Sequence, residues 1–172
     1  MIKILRAYEA LTHYAEKWLS PVLDLAIRIY MAKIFFVSGK QKFDTYMNEG
    51  WDAVVLFFSD YHPVPGLDPH WAALGGVSGE LILPALLALG LFTRFSAAGL
   101  IIMTLVIQFA VPEDYGVANP QHYMWMLLLA VPLIKGGGPI SVDHVASKFI
   151  HQAKRQDNQE TGALPEMVEK EA

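Results

Sequence analysis

The chain has 172 residues, of which 53% are hydrophobic and only 17% charged, with a mean hydropathy of +0.32. Charges are cleared from long blocks such as 95–112 and 115–134, a distribution that points to an integral membrane protein of one compact domain rather than a soluble one. The net charge of -4 with scattered basic residues gives no footing for nucleic acid, and the absence of cysteine excludes disulfides, thiol redox chemistry, iron–sulfur clusters and CxxCH haem.

Residues 1–20 read as a cytoplasmic interfacial helix. Ile4, Tyr8, Leu11, Ala15 and Trp18 recur at helical spacing, while Lys3, Arg6, Glu9, His13, Glu16 and Lys17 cover the other side. No signal peptide is expected, because this segment is charged throughout and lacks a central apolar region. Ser20-Pro21 then punctuates the chain and fits a helix start.

Four spans are expected within a domain over 21–135. The first, 21–43, is the least apolar and carries Asp24, Arg28 and Lys33; Asp24 and Arg28 are four apart and can pair on one face. A connection over 44–73 contains the apolar run Trp51–Phe58, expected as a short helix on the membrane surface, and HPVPGLDP, which breaks regular structure. The second span, 74–92, holds one acid, Glu80, with Arg94 just beyond it. An acid at that depth faces a partner or a cavity rather than lipid.

The third span, 95–111, has Gln108 as its one strong polar group, and the fourth, 122–134, is short, with Tyr123, Trp125 and Lys135 expected as interfacial anchors. Pro84 and Pro132 lie inside spans and are expected to kink them. Gly75 and Gly79 have a spacing that allows close helix contact. Residues 136–155 alternate Val142, Val145, Phe149 and Ile150 with polar residues, an interfacial pattern, and 156–172 read as a disordered acidic tail.

The distribution of basic residues orients the bundle. Lys3, Arg6, Lys17, Arg94, Lys135, Lys148, Lys154 and Arg155 fall on one side; the other has Lys40 and Lys42 against seven acids from Asp44 to Asp114. Both termini are therefore expected in the cytoplasm, with the protein in a bacterial inner membrane.

Three stretches carry a family resemblance. Arg28 followed by SGKQKF, with Gly39 and Lys42 in a GxxK spacing, is the first; GELILPALLALGLFTRFSAAGL from Gly79 to Leu100 is the second; GGGPISVD from Gly136 to Asp143 is the third. In order and spacing they resemble the DoxX family of small four-helix membrane proteins, over about residues 22–145. The resemblance implies an all-α transmembrane four-helix bundle and an association with membrane redox systems. Some relatives accompany thiosulfate oxidation that passes electrons to quinone; others belong to oxidative-stress complexes. Quinone is thus the implied cofactor, and partner redox proteins the implied association. Without cysteine, sulfur chemistry through a protein thiol is closed to this chain, which favours a non-catalytic subunit over a self-contained oxidoreductase.

The candidate polar centre consists of Arg28, Lys33, Lys42, Glu80 and Gln108. Counting about 1.5 Å per residue from the cytoplasmic ends, Lys33 lies about 18 Å in from Pro21 and Glu80 about 18 Å in from Phe92, with Gln108 at about 20 Å and Arg28 at about 10 Å. Lys33 is thus the depth-matched partner of Glu80, and Arg28 the partner the family resemblance implies. One reading is a polar pocket for a quinone head group, a proton or a small anion; the other is a buried ion pair that sets helix register.

His62, His70 and His122 fall on the outer side near Asp60, Asp68, Glu113 and Asp114. They form a candidate zinc or copper site, although their spacing matches no known ligand pattern and solvated loop histidines are the simpler reading. Trp51, Trp71 and Trp125, with Tyr46, Tyr61, Tyr115 and Tyr123, read as an aromatic belt. Function is therefore expected as an accessory or anchoring subunit in the lipid bilayer. The alternative is a small solute- or metal-binding or transport protein with no redox role, which as a transporter would require a homo-oligomer because four short helices line only a narrow path.

Overall fold

The computed structural model describes residues 2–163, and all regular structure among them is helical. Helix α1 (Ile2–Tyr14) runs through a π-helical turn (Ala15–Leu19) into α2 (Ser20–Glu49) without a break. Pro21 has no N–H to give the preceding turn, and the chain widens there, with the Ser20 N–H bonding back to Ala15 O. The expected punctuation at Ser20-Pro21 is therefore a change of helix type rather than an end.

Gly50, at φ 91°, stops α2, and α3 (Trp51–Tyr61) starts at once. The proline-rich loop leads to α4 (Pro69–Leu89), whose first turn is capped by Asp68 Oδ1 accepting the His70 N–H at 2.9 Å, with proline at the position that needs no donor. Helix α5 (Thr93–Leu105) ends in a second π turn over Val106–Ala110; α6 (Gln121–Lys135) and α7 (Val142–Ala163) follow. Helix α7 continues into the segment expected to be disordered; residues 164–172 of that tail lie outside the described residues.

Helices α2, α4, α5 and α6 pack in a ring, each against the next, and α3 leans on α2 and α4. Met31, Phe35, Leu87, Ala97, Leu100 and Leu129 form the central core. A second cluster joins Val54 and Phe58 of α3 to Ala72, Ala73 and Val77 of α4. The run expected to rest on the membrane surface is thus partly buried in the bundle.

The pattern of exposure is inverted relative to a water-soluble protein. Asp24, Arg28, Glu80, Thr93, Ser96, Thr104 and His122 are buried, while Val22, Ile29, Phe36, Ile82, Leu89, Phe95, Ile102 and Leu127 are exposed. Two helical stretches, Pro69–Leu89 and Thr93–Ala110, are long and apolar enough to cross a membrane. Of the other two expected spans, α2 is diluted by its charges and α6 has 15 residues.

Helix α2 approaches α4 closely at Gly39. A Cβ built there would lie 2.8 Å from Glu80 Cβ and 2.9 Å from its carbonyl carbon, so only glycine admits this contact. The Gly75–Gly79 pair does not act as a unit: a Cβ at Gly75 would meet nothing, whereas one at Gly79 would meet Met103 Sδ at 2.9 Å, because only the second glycine faces α5.

Candidate functional site

Glu80 is paired with Lys42, not with Lys33 or Arg28. Lys42 Nζ lies 2.6 Å from Glu80 Oε2 and donates to Ser38 Oγ at 2.8 Å; the side chains are 14% and 6% exposed. The register of α2 against α4 explains the change of partner. Gly39 faces Glu80, and the Arg28 guanidinium reaches Gly90, so residues 28–39 run beside 80–90 over about 16 Å. Pro21 and Phe92 are consequently not level: α2 begins about 12 Å before the end of α4 is reached. Counting depth from those two points shifted Lys33 into register with Glu80, whereas the lysine is exposed on the bundle surface.

Arg28 performs a different task. It is 1% exposed, and its Nη1 donates to the carbonyls of Leu87 and Ala88 at 3.2 Å each, while Nη2 donates to Ile140 O. These carbonyls belong to the last turn of α4 and to the loop before α7. A charged donor thereby serves acceptors at the helix end, joining the Gly90 N–H at Leu87 O.

Asp143 closes the same junction from the other side. Its carboxylate accepts the N–H groups of Phe92 and Thr93 at 2.9 Å each and the Thr93 hydroxyl at 2.7 Å, capping the start of α5, and its own N–H donates to Gly90 O at 2.9 Å. Burial alone would push this carboxyl up; the hydrogen bonds from Thr93 and Phe92, with the Arg28 charge, outweigh it and hold Asp143 below the ordinary carboxylate value. Asp24 does not pair with Arg28 either. Its carboxylate binds Lys135 Nζ at 2.7 and 2.8 Å, tying α2 to α6.

The polar centre at Glu80 opens into a cavity of about 430 Å³ at the end of the bundle that carries the loop over 62–68, a volume within the range of small-molecule sites. Lys42 and Glu80 form one polar wall, His62 and His122 contribute others, and Phe58, Trp71, Met103 and Trp125 supply apolar surface; Val64 and Leu67 of the proline-rich loop form the roof. Trp125, read in the sequence as a belt residue, is half-buried in the cavity wall, whereas Trp71 stands at its rim and remains 62% exposed. Gln108 does not line it but holds His122: its Oε1 is 2.7 Å from His122 Nδ1 and accepts the Asn119 N–H at 3.1 Å. The π turn that ends α5 carries Gln108.

The three histidines are not brought together. His62 and His122 share the cavity, but His70 sits at the capped start of α4, where its Nδ1 accepts from Trp51 Nε1 at 3.1 Å. Among the described residues no group of three histidines and carboxylates is placed to hold a metal ion.

His62 Nδ1 is buried without a hydrogen-bond partner, and its ring lies 4.8 Å from that of Phe57. Burial, aided by the charge of Lys42, holds this imidazole below its ordinary value. The unfolded chain then binds a proton that the folded one refuses. Stability from this residue is complete above about pH 6.5 and is lost as pH falls toward the lower folded value. Melting curves of detergent-purified protein between about pH 7.5 and 5 are expected to show falling stability, and His62→Gln to flatten that slope; an unchanged slope in the variant refutes the assignment.

A chain whose described residues are helical in all their regular structure, with an apolar exterior, buried charges and a ligand-sized, half-open cavity, is a helical membrane protein of the small-bundle class. The chain belongs to the DoxX family, whose pattern it matches over residues 23–113. The match takes in Arg28, Gly39, Lys42 and Glu80 and the Gly-Leu-Phe-Thr-Arg turn; the Gly136–Asp143 loop lies beyond it but is bonded to that turn through Asp143. The chain is also similar to an uncharacterized protein of Haemophilus influenzae, 30% identical over 136 residues, covering 75% of this chain and 86% of the relative. No solved structure matches.

Proposed function

We propose that this DoxX family protein is a non-catalytic accessory or anchoring subunit of a membrane redox system, and that its cavity holds the ring of a quinone. The single observation that carries the reading is the cavity itself. A space of about 430 Å³, walled mostly by apolar and aromatic side chains, contains a Lys42–Glu80 ion pair at one pole. That combination suits a flat lipophilic ring with polar substituents.

In this reading α2, α4, α5 and α6 all cross the bacterial inner membrane, with both termini in the cytoplasm. Arg94 and Lys135 mark the inner end, and Asp60, Asp68, Glu113 and Asp114 the outer one. Helix α2 is tolerated in the bilayer because Asp24, Arg28 and Lys42 find partners inside the bundle. The cavity then lies in the outer half, beneath the proline-rich loop, and is filled from the outer leaflet.

Purification in mild detergent followed by mass spectrometry of extracted lipophilic molecules, metals and copurifying proteins tests the proposal. The expected result is a quinone, with a redox protein as partner. A polar solute or metal in place of quinone overturns it in favour of a binding protein with no redox role.

A further inference from the structure

We infer that the cavity receives its ligand through hydrogen-bond donors on the ligand: it takes the hydroquinone form, with a ring hydroxyl donating to His122 Nε2, in preference to the quinone. This rests on the quinone-class reading above and deepens it.

The tautomer of His122 follows from its neighbours. The backbone N–H of Asn119 can only donate, and it lies 3.1 Å from the Gln108 side-chain atom Oε1. That atom must therefore be the amide oxygen, which settles the orientation of the amide. The same oxygen is 2.7 Å from His122 Nδ1. Because the oxygen accepts, Nδ1 donates and carries the proton of the neutral ring, leaving Nε2 as a lone pair. No hydrogen bond reaches Nε2 from the described residues. The ring is 6% exposed and forms part of the cavity wall beside Trp125, 4.9 Å away between ring centroids.

The opposite polar pole has the same character. Glu80 Oε2 accepts from Lys42, whereas Oε1 makes no hydrogen bond with the described residues, although the carboxylate lines the cavity. Lys42 directs donors to Glu80 and Ser38 and lies 5.9 Å from the centre of the Phe57 ring. Two acceptors without donors, His122 Nε2 and Glu80 Oε1, thus face one largely apolar space, in which the His62 ring has a single N–H to offer. A quinone carbonyl brings only further lone pairs to His122, whereas a hydroquinone O–H supplies the missing donor, and an acceptor that a ligand shuts off from water without giving it a donor is costly. Gln108 is a positioning residue: it acts on the ligand only by holding the proton on Nδ1.

Isothermal titration calorimetry of the detergent-purified full chain, under anaerobic conditions, compares three probes: decylubiquinol, decylubiquinone and the O-methylated quinol. Decylubiquinol is expected to bind at least about tenfold tighter than either of the others, as the loss of about one well-formed hydrogen bond dictates. Gln108→Leu, which frees the tautomer without entering the cavity wall, is expected to shrink that preference, and His122→Phe to abolish it. Equal or tighter binding of the quinone or of the methyl ether overturns the inference and leaves the quinone-class reading standing. Failure of all three probes to bind overturns the reading itself. The wild-type comparison decides both, whether or not either variant folds.

Discussion

Glu80→Leu is expected to destabilise the purified protein by on the order of 3–5 kcal/mol, because it leaves the Lys42 ammonium buried without its counter-charge. The ion pair is largely shielded, at 14% and 6% side-chain exposure, and the nearest remaining acceptor for Lys42 is Ser38 Oγ. Lys42→Met alone is expected to cost a similar amount by stranding the carboxylate. The double variant Lys42→Met/Glu80→Leu is expected to recover most of the loss, since replacing both charges removes the desolvation penalty together with the attraction. Unfolding in detergent, read as a double-mutant cycle, checks this. Simple addition of the two single effects would show that the 2.6 Å contact carries no coupling. Glu80→Gln keeps an acceptor for Lys42 and is expected to fall between wild type and Glu80→Leu.

The second large effect is expected at the junction of α4, α5 and α7. Arg28→Met removes the donor that serves Leu87 O, Ala88 O and Ile140 O, leaving Ala88 O and Ile140 O unmet while Leu87 O keeps the Gly90 N–H. A loss of about 3 kcal/mol or more is expected, from several charge-assisted hydrogen bonds at about 1.5–3 kcal/mol each with partial relaxation. Asp143→Asn leaves shape and one oxygen but removes the charge that caps α5, with an expected cost of about 1.5–3 kcal/mol.

The acid limb of stability distinguishes Asp143→Asn from the wild type. Asp143 is held below the ordinary carboxylate value in the folded protein. Its stabilisation is therefore complete above the unfolded value of about 3.9 and is lost as pH falls through the lower folded one. Wild type should lose this contribution below about pH 4, whereas Asp143→Asn has none to lose there. An acid limb identical in the two proteins would remove Asp143 from the account.

Much of the architecture was legible in the chain because it rests on local rules. The apolar runs mark α4, α5 and α6, although α4 begins at Pro69, five residues before the expected span, and ends at Leu89 rather than Phe92. That Glu80 would turn inward was equally readable, since lipid offers a carboxylate nothing. Arg28, Gly39, Lys42, Glu80 and the two glycine-bearing turns were marked out by family resemblance, and each has a physical role: close approach at Gly39, an ion pair at Lys42, a locked turn at Arg28 and Asp143.

Partner choice was not legible. Lys33, Lys42 and Arg28 all lie on α2 within reach of a plausible depth estimate, and a shift of two turns between α2 and α4 exchanges one for another. Asp24 had an attractive partner four residues away in Arg28, yet Lys135 from α6 takes it. Gln108 and His122 sit at the ends of neighbouring helices, and a π turn, invisible to an apolar pattern, aims one at the other. Trp125 is indistinguishable from a belt residue until the helices around the cavity place it in the wall.

The sequence by itself determined the class of protein, most of the helices and that Glu80 must be hidden, since each follows from the composition of a short stretch and the solvent it must meet; it misplaced Lys33, which is exposed. The tertiary structure alone decided which charge answers which, and that a cavity stands beside Glu80. Those depend on helix register and loop placement, which are set by contacts between distant residues such as Gly39 against Glu80, and a difference of a few ångströms along a helix changes the partner of every side chain on its face.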